Sequence, residues 1–164
     1  MPRTRFSLIV AAALATATIG CSSGRDPLAP TPPASELRAA PTLVTVAGTA
    51  LRLETYLWRD FQPISPPDGK PLIAVMRVRA ADGGTVPGGL QVDAAWVVNG
   101  GAVWAAEVRD EHGSSNAQYY EVVGRDGPKW GPGITVDVIV RVRDAQAGAS
   151  RLLRAADQPI RMTQ

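Results

Sequence analysis

The stretch from Ile134 to Arg143 constrains the fold of this chain more than any other. Ile134, Val136, Val138, Val140 and Val142 share one parity, and Thr135, Asp137, Ile139, Arg141 and Arg143 share the other. Successive side chains of a strand point to opposite faces, so the pattern predicts a strand with one face in a core. A β-branched residue at every inward position suits a packed, pleated surface and makes this a central strand.

The strands around it are legible in the same way. Leu90–Val108 reads as a hairpin about Asn99-Gly100-Gly101. Its first arm puts Leu90, Val92, Ala94, Trp96 and Val98 on one face, and its second puts Ala102, Trp104, Ala106 and Val108 there. A three-residue loop closing on a Val98–Ala102 pair keeps both faces on the same side, with Gly101 as the left-handed residue. That register sets Trp96 across from Trp104 in the core. Leu51, Leu53, Thr55 and Leu57 define an earlier strand, and Leu72, Ala74, Met76 and Val78 the next. Thr42–Ala47 is a short apolar run, either an edge strand or the start of the next strand; Gln118–Val123 is a weaker strand, and Arg151–Ala156 a last one, limited to an edge by Pro159.

About seven strands with turn signals between them predict an all-β domain, an antiparallel β-sandwich. The strand order, with Trp96 on the third confident strand, resembles immunoglobulin-like and fibronectin type III-like domains over 42–163. A small barrel is the alternative. The chain lacks a cysteine pair, as fibronectin-type domains do. No Tyr precedes the sixth strand where a tyrosine corner would stand, which leaves Trp130 to anchor that turn.

The first forty residues are of another kind. Met1–Arg5 is basic and Phe6–Ile19 is an alanine-rich apolar run, too short for a membrane span and suited to a secretory signal. Thr18-Ile19-Gly20-Cys21 resembles the lipobox of bacterial lipoproteins, although an aliphatic residue is usual where Thr18 stands. The resemblance implies that Cys21 is lipidated and becomes the mature N-terminus. It also implies an outer-membrane anchor facing the periplasm or the surface, because Ser22 is not the retaining Asp. Cleavage after Ala17 is the alternative and would release a soluble envelope or secreted protein. The chain thus divides into a leader (1–20), a flexible Pro-rich tether (21–41) and a β-sandwich domain (42–164).

The formal charge of +2 includes Arg3 and Arg5; without the leader, 15 basic residues balance 15 acidic ones. Nucleic-acid binding then loses its electrostatic basis. The lone His112 lies beside Asp110 and Glu111 in a Gly-Ser loop, a poor metal set. Glu107, Asp110, Asp126 and Asp137 lack the alternating oxygen ligands of a calcium loop. Ser114-Ser115 has no nucleophile elbow, and no glycine cluster opens a helix as a phosphate loop does. No catalytic residue, metal or cofactor is expected. Arg77, Arg79, Arg141 and Arg143 form either a solvated strand face or a basic patch for anionic lipid or polysaccharide.

Trp58, Phe61 and Trp130 stand apart from the other aromatics, because they lie in or beside Pro- and Gly-rich loops. They are either plugs closing the end of the domain or a site for a protein or peptide of the envelope. Strand counting brings the Phe61–Pro71 loop, the Asn99-Gly100-Gly101 turn and the Gly124–Gly133 loop to one end, away from the anchor. The expected function is a membrane-tethered, non-catalytic binding or assembly module. An envelope enzyme or metal carrier with an unrecognised site is the alternative.

Overall fold

The structure, a computed structural model, describes residues 30–109 and 115–163. The leader, Cys21 and the loop residues Asp110, Glu111 and His112 lie outside the described residues. Among the described residues no helix is long and apolar enough to cross a membrane.

A short helix, α1 (Ala34–Arg38), precedes ten strands. They are β1 (Val44–Val46), β2 (Thr49–Asp60), β3 (Leu72–Ala80), β4 (Leu90–Asn99) and β5 (Ala102–Ala106). Then come β6 (Val108–Arg109), β7 (Ser115–Asn116), β8 (Tyr119–Gly127), β9 (Thr135–Asp144) and β10 (Ser150–Thr163). All join one mixed sheet in the order β5-β4-β9-β10-β2-β3-β8-β6, with β1 beside β2 and β7 beside β8.

The expected seven-stranded antiparallel sandwich is therefore corrected to a nearly closed, barrel-like sheet of ten strands. Two segments make the difference. β10 runs antiparallel to β9, shifts register between Ala155 and Gln158, and then pairs parallel with β2 from Ile160↔Leu57 to Thr163↔Asp60. Pro159 does not end the strand at an edge. It faces Thr135, and the chain continues into its second partner. On the other side Ala102–Arg109 passes from β4, as β5, to β8, as β6, so the two ends of the strand order belong to one segment. Closure of this kind removes exposed edges.

Leu51, Leu53 and Leu57 of β2, Leu72 to Val78 of β3 and Val136 to Val142 of β9 send their even-spaced apolar side chains into one core, as the alternation predicts. The hairpin register differs. Asn99 pairs with Ala102 and Val97 with Trp104, so the loop is the two residues Gly100-Gly101. Gly100, rather than Gly101, takes the positive φ of 55° that such a turn requires. Trp96 lies opposite Ala105, and the two indoles fall on opposite faces of the sheet.

A bulge in β4 is the cause. Val92 pairs with Val142 but Ala94 with Arg141, which leaves Asp93 as an extra residue. Leu90 and Val92 face the main core, and after the bulge Ala95 and Val97 do. Ala94, Trp96 and Val98 turn outward, where with Ile139 they meet Leu37 and Ala40 in a second core. That second core exists because the stretch expected as tether contains α1. Leu37 is fully buried, the Arg38 Nε lies 2.9 Å from Asp137, and the Arg154 backbone N–H donates to the Pro41 carbonyl at 2.9 Å. Packing thus begins before the expected boundary at residue 42.

Candidate functional site

β2 ends with Leu57-Trp58-Arg59-Asp60, and strand alternation sends these residues to two sites. Arg59 has the inward parity of Leu57 and is only 3% exposed. Among the described residues no carboxylate meets its guanidinium in a hydrogen bond; backbone carbonyls do. Nε donates to Lys70 O at 2.9 Å, and Nη1 to Lys129 O at 3.1 Å and Gly131 O at 2.7 Å. Nη2 donates to Asp68 O. A planar fork of donors satisfies several carbonyls at once, which is how a buried cation is tolerated here. The four acceptors belong to the 61–71 and 128–134 loops, so Arg59 ties the two together. The Lys129–Asp68 ion pair at 2.6 Å repeats the link on the surface, and the Lys70–Asp60 pair at 2.9 Å closes the first loop on the end of β2. The Lys129 ammonium holds the Asp68 carboxyl below its ordinary value; the Gln62 N–H, then Lys70, does so for Asp60.

Phe61 and Trp130 take their places around this clamp. The Arg59 guanidinium stands 5.0 Å from the centroid of the Phe61 ring. The same ring covers Gly69 so closely that a Cβ there would come within 2.6 Å of it. Trp130 sits between two carbonyls bound by Arg59 and packs on the main core. The Phe61 and Trp130 loops do share one end, with the Gly100-Gly101 turn at the same end of the sheet. The chain does not arrive from the opposite end. β1 is antiparallel to β2 and so runs away from the loops.

Trp58 is not part of that cluster. It points outward, its ring centroid 5.2 Å from that of Tyr56 at a tilt of 41°. Tyr56 is 46% exposed. Cross-strand pairing sets Ile73 beside Trp58, Val75 beside Tyr56, and Arg77 beside Glu54. Glu54, Thr55, Tyr56, Val75 and Arg77 line a shallow depression of about 230 Å³. From β10, Arg161 places its guanidinium 5.5 Å from the Tyr56 ring centroid. Arg77 and Arg79 lie 5.2 and 5.6 Å from the centroid of Tyr119 on β8. Arg77 is bound to Glu121, which pushes its pKa further up, and Glu54 is shared by Arg52 at 2.8 Å and Arg79 at 3.2 Å.

The four arginines weighed as a solvated strand face or a basic patch are separated. Arg77 and Arg79 lie on β3, whereas Arg141 and Arg143 lie on β9, with Arg141 held by Asp93 at 2.6 Å. Asp137, considered as a calcium ligand, instead pins α1. Among the described residues no three His, Cys, Asp or Glu side chains gather as metal ligands. Sequence reasoning missed Arg59, Tyr56 and Arg161. The signal for Arg59 was a cation at an inward position; for Tyr56 it was the shared parity with Trp58. No protein-family model matches this chain, and no curated protein or solved structure matches it.

Proposed function

We propose that the chain is a lipid-anchored, non-catalytic binding module of the cell envelope, held to the outer membrane through Cys21. We also read its barrel-like sheet as a variant of the immunoglobulin-like sandwich. Supporting that reading, β2-β3-β8-β6 and β5-β4-β9-β10 follow the order of the two immunoglobulin sheets, with the last strand parallel to an early one. The supporting observation for binding is the contrast between two outer faces. The outer side of β4 and β9 is sealed by α1, whereas among the described residues no such element covers Tyr56 and Trp58 on the outer side of β2 and β3. An exposed Tyr56 beside a half-buried Trp58 and a cation suits a recognition surface better than a packing device. Of the three aromatics singled out in the sequence, Trp58 carries binding in this reading, and Phe61 and Trp130 hold the loops beside it.

Two substitutions test the proposal. Cys21→Ala moves the protein from the membrane fraction to the soluble envelope fraction. Trp58→Ala leaves it membrane-bound and folded but lowers its cross-linking to envelope components. A wild-type chain that is already soluble with Thr18 at its N-terminus removes the anchor from the account. Unchanged cross-linking removes Trp58.

A further inference from the structure

The uncovered face has a chemistry of its own, and it narrows the class of ligand. Its outward side chains form cross-strand rows: Trp58 with Ile73, Tyr56 with Val75, Glu54 with Arg77 and Glu121, and Arg52 with Arg79 and Tyr119. Arg161 of β10 is aligned with Trp58 and stands over Tyr56. Three of the four arginines share two carboxylates: Arg52 and Arg79 use Glu54, and Arg77 uses Glu121. Arg161 is exposed and pairs with no carboxylate among the described residues. The face therefore has a partly exposed aromatic pair, an excess of cations, and in Glu54 one partly exposed carboxylate, whereas Glu121 is buried against Arg77.

We propose that this face binds an acidic polysaccharide, with sugar rings stacked on Tyr56 and Trp58 and an anionic substituent held by Arg161. The inference rests on the binding-module reading and names its ligand. Charge argues the occupant. A second copy of this chain would bring the same cation excess to the contact, which opposes self-association through this face. An anionic bilayer would press on the partly exposed Glu54 as well as on the arginines. A glycan meets both signs, because its hydroxyls donate to carboxylates while its acid groups accept from guanidinium. A peptide adding as a strand needs a free edge, and β3 is paired on both sides, with β2 and with β8. The shallow depression between Glu54, Tyr56, Val75 and Arg77 suits a chain lying along the face rather than a ligand buried in a cavity.

The test is affinity electrophoresis of the full chain through gels containing polygalacturonate, with dextran as the neutral control. Wild type is retarded by polygalacturonate and not by dextran. Trp58→Ala and Arg161→Gln each weaken retardation about thirtyfold, the size of a truncated hot spot. Arg151→Gln, on an exposed position of β10 outside the face, leaves it unchanged. Melting curves that coincide with wild type establish that the variants are folded. Absence of retardation overturns the inference. So does equal retardation of all variants, which is adsorption by charge alone, or capture by phosphatidylglycerol vesicles in place of the polysaccharide. If polygalacturonate fails while Trp58→Ala still lowers cross-linking to an envelope protein, the inference falls and the binding-module reading stands. If neither responds to Trp58→Ala, both fall.

Discussion

Replacing Arg59 by Met should loosen the loop end of the domain more than any surface change. The side chain makes four hydrogen bonds to carbonyls of two loops. Bonds from a charged donor contribute about 1.5–3 kcal/mol each, so four amount to roughly 6–12 kcal/mol before opposing terms. Against this stands the cost of keeping a guanidinium 3% exposed, several kcal/mol per buried ion. Met also recovers apolar contact, and carbonyls at the end of a barrel regain some water. The net loss should be about 3–5 kcal/mol, a large share of the stability of an ordinary domain. Urea unfolding of the full chain measures it. Arg59→Lys should lose less, since an ammonium keeps three donors but not the planar fork. Hydrogen exchange supplies a local readout: the Gly69 and Gly133 amides, bonded to Pro66 O and Ile160 O, should exchange faster in Arg59→Met. A loss below about 1 kcal/mol with unchanged exchange at both glycines refutes the clamp.

Trp96 and Trp104 lie on opposite faces, so a double-mutant cycle of their Ala variants should give a coupling below about 0.5 kcal/mol, whereas a cross-strand pair would couple by about 0.5–1.5 kcal/mol. Gly127→Ala should destabilise by about 1–3 kcal/mol in thermal melts, because its Cβ would meet the Trp104 ring at 2.7 Å. Leu37→Ala should cost about 2–5 kcal/mol although it lies in the stretch that reads as a tether; no effect would mean that α1 does not seal the second core. Asp60 and Asp68 titrate below their ordinary 3.8, so their contribution is present above that value and is lost as pH falls through the lower folded values. Asp60→Asn and Asp68→Asn should each flatten the acid limb of a melting-temperature profile, and an unaltered limb would contradict the loop-end ion pairs.

Strict alternation made β2, β3 and β9 legible, since one unbroken parity served one face. β4 carried the same signature and misled, because a bulge at Asp93 exchanges its faces without disturbing the apolar spacing in the sequence. The outward Ile139, within an otherwise polar parity, was the trace of a second core needing a cover. The cover itself was hidden in a segment too short for helical periodicity. It had Pro33 ahead of it, Glu36 in the first turn and Arg38 in the last, all weak signals of a helix. The closure of the sheet was hidden for a different reason. It depends on β10 exchanging β9 for β2 in mid-strand, and pairing partners leave no mark on hydrophobic spacing. Of the candidate site, Trp58 was legible as an aromatic beside a loop. Its partner Arg161 lies 103 positions away in sequence, on a strand whose continuation past Pro159 only the fold explains.

In the proposed function the outer face of β2 and β3 is the working surface. A photoreactive amino acid placed at Tyr56 in the full chain tests it in living cells, with the same group at Arg151 as the comparison. A light-dependent adduct with envelope material is expected from position 56 and none from position 151. Adducts from 151 alone, or from both positions equally, would contradict it.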